Sequence, residues 1–154
     1  MARRAVNSPG YHVPIRGFSQ VVLAPDGKRL AFVSGLTART ADGTIVHVGD
    51  VGGQTRQVIE NLRAVLSAAG ATLDDVVQIR TYVRDISQWS RIQEVWERFW
   101  GDVWPASTLV EVRRLYDERQ LIEMEAVAAV GSRNRRPTAA RARSPRRAER
   151  GVRG

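Results

Sequence analysis

Only two segments of this 154-residue chain carry helical periodicity, and six others read as strands. That ratio limits the fold more than any other feature. From Asp50 to Ala69, the residues Val51, Thr55, Val58, Leu62, Val65, Leu66 and Ala69 recur at steps of three and four, which makes one face of an amphipathic helix. Asp50 suits its N-terminal cap and Gly70 its stop. A second helix is expected over about 87–100, with Ile92, Val95, Trp96 and Phe99 on its apolar face and Gly101 ending it. The strands are Phe18 to Leu23, Arg29 to Val33, Thr44 to Val48, Asp75 to Arg84, Ser107 to Val112 and Leu121 to Val130. Pro25, Asp26 and Gly27 between the first two predict a hairpin, because proline presets φ and glycine accepts a positive one.

The order β-β-β-α-β-α-β-β, with two helices for a six-stranded sheet, leaves enough helix for one face only. The fold class is therefore α+β, a two-layer sandwich. The other face carries Arg80, Tyr82, Val110 or its neighbours, and Met124 or its neighbours. Left wet, it would be a large mixed apolar patch. Closed self-association is the expected remedy, with any ligand cleft between subunits.

Charge divides the chain. The net charge of +8 belongs to residues 131–154, which hold nine Arg and a single acid, Glu149, while residues 1–130 balance to zero. Three parts follow: an irregular N-terminal segment, 1–15, broken by Pro9, Gly10 and Pro14; a neutral globular body, 16–130; and an Arg-rich tail, 131–154. The tail has one Val and no other large apolar residue, so it is expected to be disordered. It would offer weak, salt-sensitive nucleic-acid binding at most. With 23 Arg to one Lys, the bias in basic residues reads as coding preference rather than a phosphate site.

The chain has no cysteine, so disulfides, Cys-ligated metals and thiol catalysis are excluded. His12 and His47 are far apart, so a His-rich metal cluster is not expected. No stretch reaches the roughly 18–20 apolar residues of a membrane span, and no apolar run follows the basic N-terminus as in a secretory signal. A soluble cytoplasmic protein with no membrane partner is the expectation. Nucleotide-binding, zinc-protease and nucleophile-elbow motifs are missing, and Gly49, Gly52 and Gly53 match no phosphate-binding spacing. Trp89, Trp96 and Trp100 stand at helical spacing and read as core.

Several blocks in order resemble one family. They are Gly17-Phe18-Ser19-Gln20, Phe32-Val33-Ser34-Gly35, Gln54 to Leu62, Ala68 to Val77, Tyr82 to Asp85, Pro105-Ala106, Val110-Glu111-Val112 and Ile122 to Ala126. They resemble the RidA/YjgF family, also called the L-PSP endoribonuclease-like family, over residues 16–130. The resemblance implies a chorismate-mutase-like fold and a homotrimer with a small-molecule cleft at each subunit boundary. It also implies cofactor-free hydrolysis of reactive enamines and imines to carbonyl compounds and ammonia.

Carried over residue by residue, the resemblance makes Glu123 the carboxylate that orients the attacking water and Gly35 a backbone position lining the cleft. Two positions depart. The Arg that clamps a substrate carboxylate after Pro-Ala is Ser107 here, and a hydroxyl cannot replace a planar bidentate cation. The family's cleft tyrosine aligns with Phe18. Phe18, Gly35, Arg80, Ser107 and Leu109 are the expected substrate-binding residues and Glu123 the catalytic one. Arg80 either supplies a compensating cation or packs against Glu123, Glu125 or Glu111. The leading expectation is a homotrimeric imine deaminase acting on something other than a standard 2-imino acid. The alternatives are a non-catalytic small-molecule-binding trimer and, third, tail-assisted RNA binding or ribonuclease activity.

Overall fold

The computed structural model describes residues 4–6, 21–23, 27–101 and 103–131. The elements are β1 (Arg4–Val6), β2 (Val21–Leu23), β3 (Arg29–Thr37), α1 (Val51–Ala68), β4 (Val76–Val83), α2 (Trp89–Trp100), β5 (Ala106–Glu111) and β6 (Ile122–Val130). Phe18 and the tail after Gly131 lie outside the described residues.

The main sheet has four strands in the order β3-β6-β4-β5, not six. β6 runs antiparallel to both β3 and β4, and β4 and β5 are parallel, joined through α2. Two expectations are corrected. The Phe18 to Leu23 segment does not form the first arm of a hairpin among the described residues: β2 pairs antiparallel with β1 in a separate two-stranded sheet. Its partner, Arg4–Val6, lies inside the stretch read as irregular. The Thr44 to Val48 segment is no strand. Only Ile45 bridges back, to Arg39. Thr40 and Thr44 close a tight turn over Asp42 and Gly43, and His47 takes φ 55°, which breaks any extended run.

Both helices pack on one side, as expected. Asp50 caps α1, its side chain accepting from the Gly52 N–H at 3.1 Å. Val51, Val58, Ile59, Leu62 and Leu66 are buried beneath it, whereas Val65, expected in the stripe, is exposed. Alternation along β4 and β6 sends Ile79, Val83, Ile122, Met124, Ala126 and Ala128 into the same core. Met124 therefore belongs to the helix side, and its neighbours Glu123 and Glu125 belong to the open one. Trp96 and Trp100 are buried and Trp89 packs against them, with Trp89 and Trp96 edge to face at 5.8 Å. Each such fully buried large side chain is worth about 2–3 kcal/mol of transfer free energy.

The uncovered face is present. Arg80, Thr108 and Val110 are exposed on it, and Phe32 is 77% exposed.

Candidate functional site

Two loop ends define the site, and three amide side chains on or facing α1 hold them. Gln54 is fully buried. Its Nε2 donates to the Arg119 carbonyl at 2.7 Å, and its Oε1 accepts from the Leu121 N–H at 2.7 Å. This fixes the chain just before β6. Asn61 donates to the carbonyls of Thr37 and Arg39, at 3.0 and 2.8 Å, and fixes the end of β3. Gln120, also buried, then ties the two ends together by donating to Thr37 Oγ1 at 3.0 Å. Gln54 and Asn61, both in the α1 block that carried the family resemblance, are thus tethers. Sequence reasoning gave that block no mechanical role. Its only signal was amides standing in or beside an apolar stripe.

Between these anchored ends stand Glu123 and Gly35. Glu123 on β6 is opposite Thr37 on β3 and Tyr82 on β4. The β3–β6 register shifts between Val33 and Leu36, and Gly35 sits in that irregularity. A Cβ on Gly35 would collide with Glu123 Oε1 and stand 2.8 Å from its Cδ. The missing side chain is what lets the carboxylate lie over the strand. Among the described residues no hydrogen-bond donor or cation is engaged with the Glu123 carboxylate.

Two strand positions further on is a second polar group. Arg80 donates to Glu125 Oε1 at 2.7 Å, and the Tyr82 hydroxyl donates to the same oxygen at 3.2 Å. The hydrogen bond from Arg80 holds the Glu125 carboxyl below its usual range, with the Tyr82 hydroxyl adding to it. Burial, followed by the bond to Glu125, pushes the Tyr82 phenol up. Phe32, Val33, Gln78 and Val127 join Arg80 and Glu125 around a shallow hollow of about 100 Å³ on the open face.

Ser107 and Leu109 are elsewhere. They lie opposite Ile79 and Thr81 on β4, both fully buried, and Leu109 packs against the core. Within one chain they are on the helix side of the edge strand β5, while Arg80, Glu123 and Glu125 are on the open side. The structure brings Gly35 and Glu123 together, puts Arg80 and Tyr82 on the same face, and separates Ser107 and Leu109 from them. Among the described residues no helix is long and apolar enough to cross a membrane, and no group of three acidic or histidine side chains could hold a metal ion.

Comparison with known proteins places these features. A family profile described as Endoribonuclease L-PSP matches residues 11–130. A RutC family protein of Pyrococcus abyssi is 35% identical over 128 residues, covering 83% of this chain and 98% of the relative. Another from Pyrococcus horikoshii is 39% identical over 115 residues, covering 75% of this chain and 88% of the relative. Among solved structures, the Rid family protein YyfB of Yersinia pestis superposes with a TM-score of 0.75 at 34% identity. The match covers 84% of this chain and all of the other.

Proposed function

Because this chain belongs to the L-PSP endoribonuclease family, the RidA/YjgF group, we propose that it is a homotrimer that hydrolyses reactive imines or enamines of small metabolites at clefts between its subunits. The observation that carries this reading is the Glu123 carboxylate lying over Gly35 with no donor engaged among the described residues, between strand ends that amide side chains tether. A carboxylate so placed can take a proton from water as it attacks the imine carbon, and return it to the departing nitrogen. Backbone N–H groups near the β3 irregularity would stabilise the developing charge. Phe18, Gly35, Ser107 and Leu109 line the cleft in this reading. Ser107 and Leu109 reach it from the neighbouring copy, because their own sheet turns them away from Glu123. Arg80 acts by holding Glu125.

The bare sheet face, with Phe32, Leu30 and Val110 exposed, supports the assembly on which the cleft depends. With Ser107 in place of the clamp, the substrate is something other than a standard 2-imino acid. The test mixes the full chain with imines generated in solution from several amines and amino acids and follows loss of imine trapped by semicarbazide. Hydrolysis accelerated by the wild type and lost in Glu123→Ala supports the proposal. No acceleration with any imine, together with thermal stabilisation by a neutral carbonyl compound, would make the protein a binding trimer instead.

A further inference from the structure

The charge pattern around Glu123 points to the kind of substrate the cleft takes, an inference that rests on the reading of Glu123 given above. The open face of β4 and β6 carries three charged side chains: Arg80, Glu123 and Glu125. The guanidinium of Arg80 is committed to Glu125 at 2.7 Å, so that pair is neutral as a unit. The Glu123 carboxylate is the charge left over, with no donor or cation engaged among the described residues. A second anion brought beside Glu123 would be repelled, and a cation would complete the pairing that Arg80 gives Glu125.

We propose that the substrate is an organic cation without a carboxylate: the protonated imine, or iminium, of a simple amine. In the overall step one iminium ion and one water give one ketone or aldehyde and one ammonium ion, so the single positive charge is conserved. The water oxygen bonds to the iminium carbon while Glu123 accepts a water proton, giving a neutral carbinolamine. Glu123 returns that proton to nitrogen, the C–N bond breaks with its electron pair going to nitrogen as ammonia leaves, and the hydroxyl proton departs to form ammonium. The positive charge of the iminium is attracted by Glu123 before the reaction, and no oxidant or reductant is needed.

The experiment titrates the full-length assembled protein with three probes of one skeleton at pH 7: n-butylammonium, butyrate and butan-2-one. Binding is followed by calorimetry in the wild type and in Glu123→Gln, whose amide occupies the same space over Gly35. Butylammonium should bind about tenfold tighter than butyrate, and that preference should vanish in the variant. Butyrate bound as tightly as butylammonium or more so, with affinity that changes in Glu123→Gln, would overturn the cation proposal while keeping Glu123 as the site. Binding of all three probes unaffected by Glu123→Gln, or no binding at all, would overturn both. Retention of the wild-type melting temperature by Glu123→Gln separates these outcomes from misfolding.

Discussion

Gly35 and Glu123 occupy one another's space: a β-carbon on Gly35 would collide with the carboxylate that lies across it. The glycine is needed for the position of a side chain on the neighbouring strand rather than for an unusual backbone angle. Gly35→Ala should therefore leave the fold intact and evict Glu123. The expected result is a melting temperature within a few degrees of wild type and a loss of Glu123-dependent activity of at least about tenfold. A double-mutant cycle with Glu123→Ala should show strong coupling in activity, because either change alone removes the same carboxylate from its place.

Gln54→Leu should be far more damaging to stability. It keeps side-chain volume but leaves the Leu121 N–H and the Arg119 carbonyl without the partners they have at 2.7 Å. Two orphaned groups at a part-buried site should cost about 2–4 kcal/mol, measured as a lower midpoint in urea denaturation at unchanged slope.

Phe32→Glu tests the bare face. The side chain is 77% exposed in one chain, so a lone subunit should tolerate glutamate with little change. If three copies close over this face, the variant should sediment as a monomer at micromolar concentration where the wild type does not. A wild-type protein that is itself a folded monomer would remove the intersubunit cleft.

Arg80→Met addresses the ion pair on the same face. Its side chain is half exposed, and exposed pairs contribute little, so unfolding of an isolated subunit should hardly change. If copies close over this face, the variant leaves Glu125 in a desolvated interface without its cation, so subunit dissociation should be enhanced, read by sedimentation across a dilution series.

Acid should act through Asp117. The two-pronged hydrogen bonding from Arg119, with Nε at 2.9 Å and Nη2 at 2.7 Å, holds its carboxyl well below the usual carboxylate range. A depressed carboxyl stabilises the fold at pH above its ordinary value near 3.8, and that contribution is lost as pH falls through the lower folded value. Wild type should thus lose its melting-temperature advantage over Asp117→Asn as pH drops below about 4.

Sequence carried the helices well, because a three-and-four repeat bounded by Asp50 and Gly70 has few alternatives: α1 spans Val51–Ala68 against an expected 50–69. It carried the two faces of β4 for the same reason, since alternation around Ile79 and Arg80 fixes which side each takes, but it left β6 undecided between Met124 and its neighbours, and Met124 is buried on the helix side. It overcounted strands where local β-propensity was all there was. Thr44 to Val48 has the residue types of a strand, yet a turn stabilised by Thr40 and Thr44 claims one end and His47 breaks the other. The Gly35–Glu123 contact depends on a register irregularity between strands at opposite ends of the body, which no local pattern encodes. The tethering by Gln54, Asn61 and Gln120 was hidden likewise, because an amide in a helix looks like a solvated one until its partners arrive.

The segment from Val112 to Leu121 is fastened near its base, where Gln54 holds Arg119 and Leu121, while Tyr116 at its tip is 93% exposed. Extra residues spliced in beside Tyr116 would lengthen an outlying finger without dragging on Glu123. That gives this scaffold a spot where new recognition surfaces could be grafted while the carboxylate keeps its station.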